Sequence, residues 1–188
     1  EAGIGGPSAR PYQPEGYWEN LNFPARTYEA DSGASQYRRG LYTFLRRTMP
    51  NPTMATFDAP SREICVIRRI PTNTPLQAFV GLNDPVFVEC AQALGRRLVC
   101  EGGPDTVSRL RFGLQLCLAR PAGEEQVAAL AELFGNALAT YRADAEAAKK
   151  LATVPLGALP AGLDPAEAAA WTVVANVLLN LDGVLTKN

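Results

Sequence analysis

The 188-residue chain contains no histidine. This absence excludes Ser-His-Asp and Cys-His nucleophile systems, imidazole-ligated zinc, a histidine haem ligand and a histidine pH switch. Any acid or base chemistry would have to use Asp, Glu, Lys, Tyr or Cys side chains. We therefore predict no bound cofactor.

The chain also lacks an excess of charge and a long apolar run. Its net charge is −1, so no basic excess is available to displace counterions from nucleic-acid phosphates. No apolar stretch is long enough to span a bilayer. We predict no nucleic-acid partner and no membrane insertion. The 47% hydrophobic and 20% charged residues are typical of one globular domain.

The four cysteines, Cys65, Cys90, Cys100 and Cys117, form no C-x-x-C pair. Cys90 and Cys100 fall on one predicted helix, where ten residues of rise separate them by about 15 Å, too far for a disulfide. We predict no metal site. One or two bridges to Cys65 or Cys117 remain open, although the pattern favours small buried thiols.

The first 33 residues are predicted to form an irregular, aromatic-rich arm. Glycine and proline interrupt every helical or strand period there. The aromatic residues can pin this arm onto a core or stack on sugar rings, and we favour the first interpretation. They are Tyr12, Tyr17, Trp18, Phe23 and Tyr28.

A second irregular stretch, residues 49–75, is predicted to be a long connector. Its apolar residues are too numerous for a solvated tether, which favours an ordered loop whose polar residues carry function. We predict that Asp58 and Glu63 pair with arginines, because buried charges require partners. The candidate binding residues of the connector are Asp58, Arg62, Glu63, Arg68, Arg69 and Asn73.

Helical periodicity dominates the remainder of the chain and predicts an all-α fold. Asp84-Pro85 and Asp164-Pro165 are typical N-terminal signals, and Trp171, Val174 and Leu178 form an apolar stripe. We expect one irregular domain over residues 1–188, with five or six helices and long ordered Pro- and Gly-rich loops. The helices are predicted at about 31–48, 75–82, 85–100, 105–118, 124–151 and 165–185.

Several separated blocks resemble a known family. Together they resemble the C-terminal domain of unknown function of large planctomycete envelope or secreted proteins that also carry cytochrome-c-like domains. The chain departs from that family's pattern at Gly81 and Gly183. The blocks are residues 10–18 (RPYQPEGYW), 37–44 (YRRGLYTF), 57–65 (FDAPSREIC), 72–78 (TNTPLQA), 82–85 (LNDP), 118–121 (LARP) and 170–182 (AWTVVANVLLNLD).

The resemblance implies a cellular location and partners but no catalytic mechanism. It implies a location in the cell envelope, in a periplasm-like space or outside the cell, and it carries over no catalytic residue. The implied partners are upstream domains of the parent chain and an envelope glycan. Because the chain begins at Glu1, we also expect it to be the C-terminal part of a larger protein that docks against the preceding part.

Two classes of function follow from these observations. We favour a non-catalytic binding or assembly module that uses the polar connector and the aromatic arm, with Tyr12, Tyr17 and Trp18 as the arm's candidate residues. The alternative is a carboxylate-based glycan-acting enzyme. Two acids that face one aromatic-lined cleft would favour this alternative. The candidate acids are Glu15, Glu19, Asp58, Glu63 and Asp84.

Overall fold

The computed structural model describes residues 3–19, 24 and 27–186. That part of the chain contains eight α-helices, two 3-10 helices and no β-strand. The all-α class predicted from the sequence is therefore confirmed, but the predicted number of five or six helices is too low. None of the helices in the described ranges combines the length and apolar character needed to cross a bilayer.

The chain groups into two compact units, Glu1–Thr72 and Asn73–Asn188, here called the N-terminal unit and the helical unit. The N-terminal unit contains the 3-10 helices Gly33–Tyr37 and Gly40–Tyr42 and the short helix α1 (Pro52–Thr56). The other helices are α2 (Pro75–Asn83), α3 (Pro85–Glu101), α4 (Thr106–Leu118), α5 (Glu124–Ala143), α6 (Ala145–Thr153), α7 (Pro165–Leu179) and α8 (Asp182–Leu185).

Helix α7 forms the centre of the helical unit and packs against α3, α5 and α6. Trp171, Val174 and Leu178 are fully buried there, as their helical spacing predicts. The indole of Trp171 lies against the ring of Phe134, with 4.4 Å between the ring centroids. A Cβ on Gly95 of α3 would lie 3.0 Å from the backbone carbonyl carbon of Trp171. The absence of a side chain at Gly95 therefore allows α3 and α7 to approach closely.

The predicted starts of the main helices are confirmed. The Asp84 carboxylate accepts a hydrogen bond from Val86 N at 2.9 Å, and Pro85 occupies the first position of α3. The Asp164 carboxylate accepts from Glu167 N at 2.9 Å at the start of α7. Each carboxylate satisfies a backbone donor that has no partner within its helix.

Two long predicted helices are interrupted in the structure. The predicted helix 124–151 divides at Asp144, whose carboxylate accepts from Ala147 N at 2.9 Å and caps α6. This break allows Ala148 and Ala152 to pack in an alanine-rich cluster with the start of α7. The predicted helix 165–185 divides after Leu179 into α7 and α8. Both breaks retain helical spacing on either side, so periodicity alone does not reveal them.

The glycine at position 81, where the family resemblance predicts a larger apolar residue, faces Asn180. A Cβ on Gly81 would lie 2.9 Å from Asn180 Oδ1. The Asn180 amide donates to the carbonyl of Ala78 at 3.2 Å. The small residue at position 81 thus leaves room for an amide contact between α7 and α2.

The prediction of a helix over residues 31–48 is wrong. The backbone around Thr43 pairs instead with the arm, because Ala9 N donates to Tyr42 O at 2.8 Å and Phe44 N donates to Ala9 O at 2.7 Å. The Arg38 guanidinium donates to the carbonyls of Gly5 and Pro7. Backbone N–H and C=O groups that a helix would pair locally are therefore paired with a distant segment.

The prediction of buried thiols is wrong for three of the four cysteines. Cys65, Cys90 and Cys100 are exposed, Cys117 is half-buried, and all four are free. Cys100 lies on the side of α3 away from the core stripe of Leu94 and Leu98, whereas Cys90 lies one turn before Leu94, where partial burial raises the pKa of its thiol. Partial burial raises the pKa of the Cys117 thiol.

Candidate functional site

Hydrogen bonds join parts of the aromatic arm to one another and join the arm to the rest of the N-terminal unit. The Tyr17 hydroxyl donates to Pro50 O at 2.7 Å. The Tyr28 hydroxyl donates to Pro11 O. Arg10 N donates to the Asp31 carboxylate at 2.8 Å. The Tyr17 contact ties the arm to a residue beyond it, and the other two contacts join its own segments. Phe23, also predicted as an anchor, lies outside the described residues.

A cleft of about 420 Å³ opens beside this arm. Its lining includes Trp18, Tyr28 and the exposed acids Glu15 and Glu19. The two rings are stacked, with 5.2 Å between their centroids and an interplanar angle of 18°. The Arg46 guanidinium lies 5.5 Å from the Trp18 ring centroid. Protein groups thus engage the Trp18 ring, which leaves less of it for a ligand. The other two arm candidates, Tyr12 and Tyr17, are not among the described lining residues.

The Tyr28 phenol stays neutral in this cleft. Burial is the main cause that raises its pKa to about 12, and the nearby Asp31 carboxylate adds to the effect. The pKa of Tyr28 in the folded protein lies above its ordinary value of 10.0. The folded protein therefore holds this proton more tightly than the unfolded chain does, and the resulting contribution to stability is lost as the pH rises from about 10 to about 12. Tyr28 therefore remains a hydrogen-bond donor at neutral pH.

Residues 58–72 of the polar connector, which follow α1, form a loop whose two ends are tied together. The Asp58 carboxylate accepts from Thr72 N at 2.7 Å and from Thr72 Oγ1 at 2.9 and 3.0 Å. We call residues 58–72 the clasped loop. Asp58 and Arg62 have left-handed backbone conformations, with φ of 59° and 62°. Asp tolerates this conformation, whereas it is uncommon for Arg.

The middle of the clasped loop is exposed. Every residue from 61 to 70 is exposed, including Ile64 (75%), Ile67 (106%) and Ile70 (81%). Within the described chain, the backbone N–H groups of residues 64–70 donate to no backbone carbonyl. The sequence predicts that these apolar side chains are buried, but in this chain they face solvent.

The predicted connector residues do not form one site. Asp58 bonds to Thr72, whereas the Asn73 amide donates to the Asp182 carboxylate at 2.7 Å in the helical unit. Arg68 and Arg69 are exposed. The predicted pairing with arginine is wrong for Glu63, which is exposed and forms no salt bridge with the described residues. Its charge needs no protein partner because water solvates it.

Sequence reasoning missed two features of this region. One is Thr72, which closes the clasped loop. The other is an apolar pocket lined by Phe44, Met54 and Arg62 among others. The Asp-Ala-Pro-Ser-Arg stretch signals a turn but does not indicate which distant residue the Asp binds.

The clasp predicts a local effect of mutation at Asp58. We expect Asp58→Gly, which tolerates φ of 59°, to speed amide exchange at Thr72 and to raise protease cleavage within residues 59–71. The reason is that Thr72 N and Oγ1 lose their acceptor. Asp58→Asn keeps an acceptor oxygen and is the matched control. Equal cleavage of the three proteins would contradict the clasp.

The fold and these contacts define an all-α protein with an anchored aromatic arm and a clasped, exposed loop. The profile of the PSD1 family, described as a protein of unknown function (DUF1553), matches residues 1–134. The chain therefore belongs to this family. The resemblance to a domain of unknown function is thereby confirmed, although the block at residues 170–182 lies outside the matched range. No curated protein and no solved structure matches the chain.

Proposed function

We propose that this chain is a non-catalytic binding and assembly module whose clasped loop docks onto a protein partner. The observation that carries the proposal is the exposure of the loop. Of the fourteen large hydrophobic residues that are exposed in the described chain, four lie between Ile64 and Ile70. Contiguous exposed apolar residues mark interaction surfaces more often than single scattered ones do.

The backbone of the loop adds a second reason. Residues 64–71 make no backbone–backbone hydrogen bond within the described chain, so their peptide groups are open to a partner. The Asp58–Thr72 contact brings the loop ends together. Tying the ends limits the conformations that the free loop can adopt, which lowers the entropy lost on binding.

The charge of the loop defines the partner's chemistry. Arg62, Arg68 and Arg69 outnumber Glu63, so residues 61–70 carry a net charge of +2. A complementary surface would offer apolar pockets for the isoleucines and acidic residues at its rim. The partner we propose is a neighbouring domain of the same parent polypeptide, in a cell-envelope or secreted setting, because the family resemblance implies such domains.

The direct test is a titration of that neighbouring domain, expressed separately, against this chain. We expect the triple variant Ile64→Ser, Ile67→Ser, Ile70→Ser to weaken binding by at least about 100-fold, because each lost side chain removes apolar area from the interface. Calorimetry would measure the dissociation constant. The fold should be unaffected, since the three residues are exposed.

Leu41→Ser is the matched control. Leu41 is 74% exposed in the same unit but lies outside the loop, so binding should not change. Unchanged binding of the triple variant would contradict the docking role. No binding by the unaltered chain would overturn the choice of partner.

One observation favours a second candidate, a carboxylate-based glycan-acting enzyme. Glu15 and Glu19 line the same cleft as Trp18 and Tyr28. Paired carboxylates can hydrolyse glycosidic bonds across separations of about 5–9.5 Å. This candidate requires hydrolysis of an oligosaccharide by the unaltered chain and its loss in both Glu15→Gln and Glu19→Gln. Hydrolysis that survives either substitution would remove it.

A further inference from the structure

A pocket of about 170 Å³ lies in the N-terminal unit where the clasped loop begins. Most of its lining is apolar and comes from three segments of that unit, around Phe44, around Met54 and at Ala59–Pro60. Asn51, which is buried, caps α1 by accepting from Met54 N at 3.0 Å. The cap fixes α1, to which the lining residue Met54 belongs.

The volume limits what the pocket can hold. An engineered apolar cavity of about 150 Å³ takes one benzene molecule. The pocket is therefore matched to a single ring or a branched chain of similar size. A disaccharide or a nucleotide would be too large.

One charged residue distinguishes this pocket from a plain apolar cavity. Of the described residues that line it, Arg62 alone is charged, and no acidic residue joins it there. Arg62 forms no hydrogen bond or salt bridge with the described residues. No described protein group therefore occupies the Arg62 guanidinium, and Arg pairs with a carboxylate in a two-pronged geometry.

The backbone at the pocket is held in place by local hydrogen bonds. Ala59 N donates to Met54 O at 2.9 Å, and Asp58 N donates to Ala55 O at 3.3 Å. These bonds join the end of α1 to the start of the loop. Together with the Asp58–Thr72 contact they fix the stretch that presents Arg62 in its left-handed conformation.

We propose that this pocket binds a small apolar monocarboxylate, with a single ring or branched chain inside the pocket and its carboxylate on Arg62. The inference goes beyond the docking function, because it uses the base of the loop and not the exposed isoleucines. It holds whether or not the loop binds a protein.

The two methionines of the chain provide a direct readout. Met54 lines the pocket, whereas Met49 is 2% exposed and is not among the lining residues. In protein labelled with ¹³C at the methionine methyl groups, phenylacetate should shift the Met54 signal saturably and leave the Met49 signal in place. We expect a dissociation constant on the order of 1 mM, as for small ligands of about ten heavy atoms.

Two variants separate the roles of charge and volume. Arg62→Gln should weaken phenylacetate binding by at least about tenfold, while binding of the neutral phenylacetamide should not change. Ala55→Phe, at an exposed position that lines the pocket, should abolish the Met54 shift by filling the volume. The triple isoleucine variant should bind phenylacetate like the unaltered chain, so failure of the docking proposal leaves this test intact.

Three results would overturn the proposal. They are equal shifts of Met49 and Met54, no saturable shift of Met54, and an Arg62→Gln variant that binds phenylacetate as tightly as the unaltered chain. A peptide that ends in phenylalanine, if it bound more than about tenfold tighter than phenylacetate, would overturn the assignment to a small molecule. It would indicate a peptide terminus as the ligand.

Discussion

Replacing Trp171 with alanine is expected to lower the free energy of unfolding by about 3–5 kcal/mol, the largest effect of any single substitution considered for this chain. Trp171 is fully buried and packs against Phe134 in the core around α7. Its indole N–H also faces Glu167 at 3.4 Å. Removal of the ring leaves a cavity that α3 and α5 cannot close without moving. Urea denaturation would measure the change.

The matched control is Leu116→Ala on α4. Leu116 is 41% exposed, so its truncation should change the free energy of unfolding by about 0.5 kcal/mol or less. A loss below about 1 kcal/mol for Trp171→Ala would contradict a core centred on α7.

Replacing Gln92 with methionine is the second substitution with a large expected effect. Gln92 is fully buried on α3, and its amide donates to Val154 O at 2.7 Å and to Leu151 O. Its side-chain oxygen accepts from Leu156 N at 2.9 Å. Methionine keeps the side-chain length but removes all three bonds. We expect a loss of about 2–4 kcal/mol, because the backbone groups lose their partners.

The control for this substitution is Gln115→Met on the exposed side of α4, where little change is expected. Hydrogen exchange gives a second measure, since the Leu156 amide should exchange faster in Gln92→Met. An unchanged midpoint of unfolding together with unchanged exchange at Leu156 would show that Gln92 does not hold residues 151–156.

The helical unit could be predicted well because its signals are local. Asp84-Pro85 and Asp164-Pro165 begin α3 and α7 as the sequence indicates, and the stripe through Trp171 is buried. Caps and apolar spacing act over a few residues, so the sequence displays them directly. The break at Asp144 was missed because the apolar spacing continues across it.

The N-terminal unit could not be predicted in the same way, because distant contacts determine its structure. The stretch around Tyr42 and Phe44 has helical spacing, yet its backbone pairs with Ala9. The Arg38 side chain reaches back to the carbonyl of Pro7. Neither contact has a local sequence signal, so tertiary pairing overrides the periodicity.

The contacts of the candidate binding residues could not be predicted from the sequence. The prediction that residues 49–75 carry function stays a prediction, and the clasped loop lies in that stretch. The assumption that its isoleucines are buried led to the prediction of paired charges. Ile67 is fully exposed, so the charges beside it are solvated. The pocket at Arg62 depends on segments around Phe44 and Met54 that no sequence pattern brings together.

Hydrogen exchange can show directly whether the clasped loop docks onto a partner. The backbone amides of residues 64–70 have no backbone partner in the described chain, so in the free protein they should exchange at rates close to those of an unstructured peptide. When the proposed neighbouring domain is added in excess, we expect protection of these amides ahead of those in α3 and α7. Complex formation that leaves the amides of residues 64–70 unprotected would contradict the docking role of the loop.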